Sequence, residues 1–341
     1  MSHRIEWVDV LKGLAILLVV IGHGFVGVTN NKMLNSYFLY PQLMMDMKNF
    51  IYSFHMPLFF LVAGAFAGHW VKLPAFKAFE KKVWRLGYPY FFWGGITACA
   101  MELAKGATNG GLGIHNYLLS WKIPFTEYWF LYILFFIFVV FYLFHCLAGK
   151  SQYESLGFLL ISVVLYVVNP WIPHFWVSQT LFKFLVFFVL GWYLFSTKDM
   201  TRVVGNRKCL WISLISFAAF VLVYLWQLRI GTHAKAVYYL FFLTSITGTW
   251  FCANLAALIS TNCRTLKEAL DFYGKYSMQV YCVHLLFLDG MRLFLTKFLI
   301  PHYPLLILII SVVTAIILTT VFIKVIERYP VLDKLCFGKA A

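Results

Sequence analysis

The chain alternates between long apolar segments and short polar loops. Apolar segments of roughly 20 residues recur along the whole sequence, and an α-helix of that length crosses the hydrocarbon core of a bilayer. The expected spans are Val8 to Val28, Asn49 to Trp70, Leu86 to Ala104, Tyr128 to Leu147, Ser155 to Asn169, Gln179 to Phe195, Leu210 to Leu228, Val237 to Ile259, Met278 to Leu299 and Leu305 to Ile326. The pattern therefore predicts an all-α integral membrane protein, a polytopic bundle of about ten transmembrane helices.

Composition and charge support the same class. Hydrophobic residues make up 62% of the chain and charged residues 12%, which excludes an ordinary soluble domain. The formal net charge is +15, but the lysines and arginines are spread through short loops rather than along one polar face, so nucleic acid is not an expected partner. Most of these cations lie in loops on the side of the N-terminus, which predicts that both termini are cytoplasmic. No loop is large enough for a second domain, so residues 1–341 are expected to form one membrane domain.

The loops differ in charge and length. The loop from Lys72 to Arg85, on the predicted cytoplasmic side, is rich in lysine and would attract an anionic ligand. The longer outward loops are expected from Thr29 to Lys48 and from Lys105 to Glu127. The second of them contains the run Asn109-Gly-Gly-Leu-Gly, which is typical of irregular structure.

The first predicted span carries ionisable residues that plain lipid anchoring does not need. Asp9 and Lys12, three residues apart on a helix, share a face and can pair near the cytoplasmic end. His23 follows Lys12 by eleven residues, about 16 Å along the helix axis, which places it inside the bilayer. Ionisable groups at that depth usually face a protein interior or a watery cavity. His23 is therefore a candidate general base, and a histidine that is only hydrogen-bonded within the bundle is the alternative.

The second predicted span contains a histidine next to a proline. His55 is expected near the outer end of this span, either as an interfacial residue or as part of the cavity. Pro57 predicts a kink that frees a backbone carbonyl, which membranes tolerate mainly where the gap lines a cavity. This favours His55 slightly as a cavity residue. Trp129, in the stretch from Glu127 to Leu131, is an interfacial aromatic residue by default and otherwise a further cavity candidate.

Two cations precede the third predicted span. Lys82 and Arg85 are three residues apart, so both lie on one helical face at a membrane entrance. Arginine can bind a phosphate as a bidentate fork, and lysine can bind it as a point charge. Ordinary anchoring by positive residues on the inner side is the simpler explanation for both.

The ninth predicted span holds another polar group. Tyr281 and His284 are three residues apart and can face the same cavity, while Asp289 and Arg292 can pair with each other. The sequence has no zinc motif, Gly-x-Ser-x-Gly elbow, Walker loop or Rossmann fingerprint in usable form. No metal site is expected, and the templates of soluble enzymes do not apply.

Taken together, these motifs resemble the acyltransferase 3 family of bacterial integral-membrane O-acyltransferases, particularly its fucose-4-O-acetylase-like branch. The resemblance covers nearly the whole chain and depends on the order and spacing of motifs that are individually weak. The motifs are Asp9-x-x-Lys-Gly-x-x-Ile with His23, Phe54-His-Met-Pro-Leu-Phe-Phe with Gly64, Lys82-x-x-Arg85-x-x-x-Pro89, Trp129-Phe-Leu, Phe187-Phe-x-x-Gly191, and Gly274-x-x-Ser277 with Tyr281 and His284.

The resemblance implies an enzyme of the bacterial plasma membrane that transfers an acyl group to a sugar hydroxyl. The expected donor is cytoplasmic acetyl-CoA, and the expected acceptor is a surface glycan or its lipid-linked precursor. His23 matches the first-helix histidine that is essential in the family, and Lys82 stands where many members have an arginine. The expected catalytic residues are His23, His284 and Asp9, the expected donor-binding residues are Lys82, Arg85 and Lys12, and the expected cavity residues are His55, Trp129 and Tyr281.

Other functions remain open at this stage. A transporter or flippase of a lipid-linked sugar would also suit ten spans with buried histidines. The chain shows no internal repeat, and its basic cluster is one-sided, which favours the enzyme. A third possibility is a membrane scaffold without catalytic turnover, in which His23 would have no function. Membrane lipid and the glycan acceptor are the expected partners, and a homo-oligomer is compatible with the sequence.

Overall fold

A computed structural model describes residues 6–104, 113–149, 153–173, 175–197, 209–231, 234–298 and 302–338, and these residues are helical with short connections. The α-helices are α1 (Glu6–Thr29), α2 (Lys32–Ser36), α3 (Pro41–Tyr52), α4 (His55–Ala65), α5 (Ala75–Lys82), α6 (Tyr88–Leu103), α7 (Ile114–Leu118), α8 (Trp129–Ala148), α9 (Glu154–Val168), α10 (Trp176–Thr197), α11 (Cys209–Ile230), α12 (Ala234–Asn262), α13 (Arg264–Lys275), α14 (Ser277–Phe298), α15 (Pro304–Arg328) and α16 (Pro330–Phe337). Shorter 3₁₀ segments occur at Ala67–His69, Thr126–Tyr128 and Asn169–Trp171, and one π-helical turn occurs at Val83–Gly87. No strand occurs in the described ranges.

The predicted all-α membrane class is confirmed. Nine helical segments of the described chain are long and apolar enough to cross a bilayer, and each coincides with one predicted span. The predicted third span differs. It consists of the sixteen-residue helix α6 preceded by the π-helical turn, so the α-helix alone is shorter than a bilayer requires. The location of the two termini stays a prediction.

The first of the loops predicted to face outward is shorter than predicted, because helix α3 begins at Pro41 rather than Asn49. Before it, the side chain of Asn31 accepts a hydrogen bond from the Leu34 backbone N–H and so caps helix α2. In the next outward loop, residues 105–112, with most of the Asn109-Gly-Gly-Leu-Gly run, lie outside the described residues.

The predicted disruption at Pro57 is confirmed: the helical segment breaks at Ser53 and Phe54, and the Ser53 carbonyl, four residues before the proline, is the one that the missing N–H leaves free. Helix α3 ends at Tyr52 and α4 starts at His55, so Pro57 lies in the first turn of α4, where a missing N–H costs no intrahelical hydrogen bond. The carbonyl of Ser53, at the break, accepts a 2.8 Å hydrogen bond from the buried hydroxyl of Ser245. The backbone at the break is therefore satisfied by a side chain within the protein, as a membrane interior demands.

The chain divides into two compact units, each assembled from three separate stretches. Unit one comprises Met1–Ala15, Ser53–Glu80 and Ile133–Lys275, and unit two comprises Ile16–Tyr52, Lys81–Tyr132 and Tyr276–Ala341. The prediction of a single membrane domain stays a prediction.

Unit one is packed through glycines that let helices touch backbone to backbone. A Cβ atom built on Gly64 of α4 would lie 1.8 Å from the Phe188 carbonyl oxygen of α10, and one on Gly191 of α10 would lie 2.0 Å from the Leu61 carbonyl oxygen of α4. At this crossing, each helix therefore contributes one glycine, against which the backbone of the other helix packs. Close crossings of this kind, through small residues, are a usual way for helices to associate in membranes.

A second close approach in unit one fixes the start of α1. A Cβ atom on Gly13 of α1 would lie 2.1 Å from the Leu270 carbonyl oxygen of α13, and one on Gly274 of α13 would lie 1.9 Å from the Asp9 carbonyl oxygen. Nearby, the Lys267 ammonium pairs with Glu6 at 2.6 Å. Two of the motif glycines of the sequence analysis thus act in packing.

Unit two has an apolar core around the second half of α1. The side chains of Phe25 and Val28 pack with buried residues of α2, α3, α14 and α15, which are Leu34, Ile51, Leu295, Ile307 and Leu308. This core holds α1 against α14, which positions the polar residues described next.

Candidate functional site

Two histidines of unit two form a hydrogen-bonded pair. Nδ1 of His23, on α1, lies 2.8 Å from Nε2 of His284, on α14. The rings are stacked, with centroids 5.1 Å apart and planes inclined by 21°. His284 is fully buried, whereas His23 is half-buried. The sequence analysis named both residues, but their direct contact could not be read from positions 261 residues apart.

The backbone around His284 fixes the tautomers of both rings. Nδ1 of His284 lies 2.9 Å from the carbonyl oxygens of Val280 and Tyr281, and a carbonyl oxygen only accepts hydrogen bonds. In the neutral ring the proton is therefore on Nδ1, and Nε2 of His284 is an acceptor. His23 must then donate from its own Nδ1. Its remaining nitrogen, Nε2, carries the lone pair of the ring.

Tyrosine side chains surround the histidine pair. The ring of Tyr52, at the end of α3, meets the His23 ring edge-on at a centroid distance of 6.2 Å. The ring of Tyr281 lies 6.3 Å from that of His284, and its hydroxyl donates to the backbone carbonyl of Glu127. Tyr281 was predicted as a cavity residue and lies beside the pair, whereas Tyr52 was not predicted. No pattern in the sequence distinguishes Tyr52 from the many other tyrosines of the chain.

A buried hydrogen-bond chain links the start of α8 to α14 near this site. The hydroxyl of Tyr128 donates to the Cys282 carbonyl oxygen at 2.9 Å and, because its proton is then used, accepts from Thr97 at 2.9 Å. Tyr128 is completely buried. The sequence analysis treated this stretch as an interfacial aromatic cluster and missed the role of Tyr128 in holding α14.

The basic pair lies in the same unit, at the end of α5 and in the π-helical turn. Lys82 is 8% exposed, whereas Arg85 is exposed. Burial, together with the positive charge of Arg85 nearby, holds the pKa of the Lys82 ammonium well below its usual value. Lys82 is thus buried, whereas an ordinary anchor of the positive-inside kind lies at the surface.

A comparison with known proteins identifies the family of this chain. The family described as "Acyltransferase domain" matches residues 5–324, nearly the whole chain. The chain belongs to the acyltransferase 3 family. It is accordingly a membrane O-acyltransferase, as the motifs predicted.

One curated relative has a more specific name. It is 24% identical to the chain over 306 residues, covering 77% of this chain and 75% of the relative, and is called "Glucans biosynthesis protein C" from Shigella dysenteriae serotype 1 (strain Sd197). No solved structure matches the chain.

The remaining predicted residues of this acyltransferase occupy other positions. Asp9, in unit one, binds the Lys12 ammonium at 2.6 Å, as the three-residue spacing predicted. Asp9 precedes His23 by fourteen residues, about 21 Å along a helix, so its carboxylate is out of reach of any proton that His23 handles. The pairing also engages Lys12, which was predicted to bind the donor. The catalytic role of Asp9 and the donor-binding role of Lys12 stay predictions.

His55 and Trp129 are placed at helix starts. His55 is 1% exposed and is the first residue of α4 in unit one, so its side chain is buried in protein, and its assignment to the interface or to the cavity stays a prediction. Trp129 is half-buried at the first residue of α8 in unit two, next to Phe130, whose ring lies 5.6 Å from that of Tyr281. Within the described residues, no group of three or more His, Cys, Asp or Glu side chains could hold a metal ion.

Proposed function

We propose that this acyltransferase transfers an acetyl group from acetyl-CoA to a hydroxyl group of a cell-surface polysaccharide or of its lipid-linked precursor, in the plasma membrane of a bacterium. The observation that carries the proposal is the hydrogen-bonded pair of His23 and His284 in a membrane-spanning region. The name of the relative, a glucans biosynthesis protein, supports a glucose polymer as the acceptor.

In the proposed reaction His23 is the general base and His284 a positioning residue. Nε2 of His23 takes the proton of the acceptor hydroxyl while the hydroxyl oxygen attacks the carbonyl carbon of the thioester. The C–S bond then breaks, and His23 returns the proton to the departing sulfur of CoA. His284 accepts the Nδ1–H of His23 throughout, so the lone pair stays on the nitrogen that faces the substrate.

The donor is proposed to bind at Lys82 and Arg85. The Lys82 ammonium would bind the phosphates of CoA as a point charge, and Arg85 would add a bidentate contact. This arrangement requires both residues, and with them the chain termini, on the cytoplasmic side. A cysteine placed at Lys77 in a cysteine-free protein should be protected in intact cells from an impermeant thiol reagent and labelled after lysis. Labelling in intact cells would show that the loop with Lys77 faces the outside, which would refute the proposed donor site.

The test of the catalytic assignment is a histidine-to-glutamine exchange. His23→Gln keeps hydrogen-bonding capacity and most of the size, so the protein should accumulate normally, but proton transfer is lost. Transfer of radiolabelled acetyl from acetyl-CoA to membrane glycans should fall about 10²- to 10⁴-fold. His69→Gln, at an exposed histidine outside the pair, is the matched control and should transfer normally. Near-normal transfer by His23→Gln would show that His23 is not the general base. Absence of labelled glycan with the wild-type protein would refute the proposed reaction.

A further inference from the structure

A second polar pair lies on α14, beyond the histidines. Asp289 accepts hydrogen bonds at Oδ1 from Nε and Nη2 of Arg292, at 3.1 Å and 3.0 Å. Arg292 is 5% exposed, whereas the Asp289 side chain is 36% exposed. The mechanism proposed above uses neither residue.

This pair is held against α1 close to His23. A Cβ atom on Gly27 would lie 2.9 Å from both Cδ and Nε of Arg292 and 3.7 Å from Oδ1 of Asp289. Gly27 follows His23 by four residues, so the two lie on the same face of α1, about 6 Å apart along its axis. The absence of a side chain at Gly27 leaves the room in which the guanidinium lies.

One donor of the guanidinium remains unused. Nη1 of Arg292 is buried and has no hydrogen-bond partner among the residues that the structure describes. Buried polar groups in proteins nearly always have a partner, so an orphaned nitrogen on a guanidinium packed against Gly27, the residue one helical turn beyond His23, indicates a ligand contact.

The charges around the pair favour a neutral ligand. Asp289 already balances the charge of Arg292. A phosphate or carboxylate placed here would meet one cation whose charge is already balanced by a carboxylate. A sugar hydroxyl can accept from Nη1 and donate to the half-exposed carboxylate of Asp289.

We infer that Arg292 and Asp289 bind neighbouring hydroxyl groups of a neutral acceptor sugar while another hydroxyl of that sugar reaches Nε2 of His23. This inference rests on the proposed function. It assigns the acceptor side of the site to α14 and makes Gly27 a residue that determines acceptor affinity.

Ligand-induced thermal stabilisation of the purified full-length protein in detergent tests the inference. The probes are a neutral glucose tetrasaccharide, its glucuronic acid counterpart, and CoA. The neutral tetrasaccharide and CoA should each stabilise the wild-type protein. Arg292→Gln should weaken the apparent affinity for the tetrasaccharide about tenfold or more and leave that for CoA unchanged. Lys297→Gln, at an exposed residue of the same helix, is the control and should keep both affinities.

Three outcomes overturn the inference. They are wild-type affinity for the tetrasaccharide in Arg292→Gln, stronger stabilisation of the wild-type protein by the glucuronic acid probe than by the neutral one, and no stabilisation by any sugar probe. If labelled acetyl still reaches membrane glycans in those cases, the proposed function stands and only the acceptor site is wrong.

A glycine variant keeps the test decisive if Arg292→Gln does not fold. Gly27→Ala removes no polar group but pushes the Arg292 side chain, so it should also weaken tetrasaccharide binding and spare CoA binding. Gly290→Ala adds the same methyl group on α14 with no described atom within 4 Å, and should change neither affinity. Equal affinities of the two alanine variants for the tetrasaccharide would contradict the inference.

Discussion

The two compact units use their small and polar residues in different ways. In unit one, Cβ atoms on Gly64 and Gly191 would strike backbone carbonyl oxygens of the facing helix. In unit two, Cβ atoms on Gly22 and Gly27 of α1 would meet side chains, namely the ring of Tyr52 and the guanidinium of Arg292. A backbone atom can yield only if a whole helix moves, whereas a side chain can rotate. The crossing of α4 and α10 in unit one is thus constrained by backbone atoms, whereas the neighbours of Gly22 and Gly27 on α1 in unit two are side chains that can adjust.

The largest expected effect is therefore on stability, at the helix crossing in unit one. Gly64→Ala or Gly191→Ala should force α4 and α10 apart and destabilise the protein by at least the roughly 1–3 kcal/mol typical of overpacking. The yield of folded protein in detergent and its melting temperature measure this loss. Gly157→Ala on α9, with no described atom within 4 Å of the added methyl group, should behave as wild type. Equal stability of the three variants would contradict the backbone contact.

The next effect concerns catalysis in unit two without a loss of folding. His284→Phe keeps the bulk of the ring but removes the acceptor for Nδ1 of His23, so the tautomer of the base is no longer fixed. We expect kcat to fall on the order of tenfold to a hundredfold, less than on loss of the base itself. Initial rates at saturating acetyl-CoA measure it. A variant as active as the wild type would show that the histidine contact is only structural.

A pH-dependent effect on donor binding is expected to be smaller. The pKa of Lys82 is lowered by burial and by Arg85, so its ammonium loses the proton at a lower pH than an ordinary lysine. Donor binding needs the charged form, so the KM for acetyl-CoA should rise as the pH increases through that lowered pKa. Lys82→Gln should have a raised KM that no longer depends on pH in this range. The same pH profile in Lys82→Gln and the wild type would assign the titration to another group.

The smallest effect is expected from a glycine of unit two. Gly22→Ala places a methyl group 3.0 Å from a ring carbon of Tyr52, which must move by a few tenths of an ångström. We expect a loss of about 1 kcal/mol or less in stability, clearly below that of Gly64→Ala. Melting temperatures of the two variants side by side test the difference between the units. A larger loss for Gly22→Ala would reverse the comparison.

The amino-acid sequence by itself determined the class of the protein and the pairings that lie within one helix. Apolar length is a local property, so nine of the ten predicted spans coincide with nine long apolar helices. Spacing within one helix is local as well, and it correctly predicted the pairs Asp9 with Lys12 and Asp289 with Arg292. The order of the motifs along the chain also identified the family before any contact was known.

Only the tertiary structure decided which of these residues meet. The contact between His23 and His284 joins helices far apart in sequence, and the tautomer of both rings follows from backbone carbonyls that no sequence pattern shows. Pro57 predicted a freed backbone carbonyl, but only the structure shows that the Ser53 carbonyl is satisfied by Ser245, a residue of a distant helix. Long-range packing creates such partners, and residue types and local spacing do not specify them.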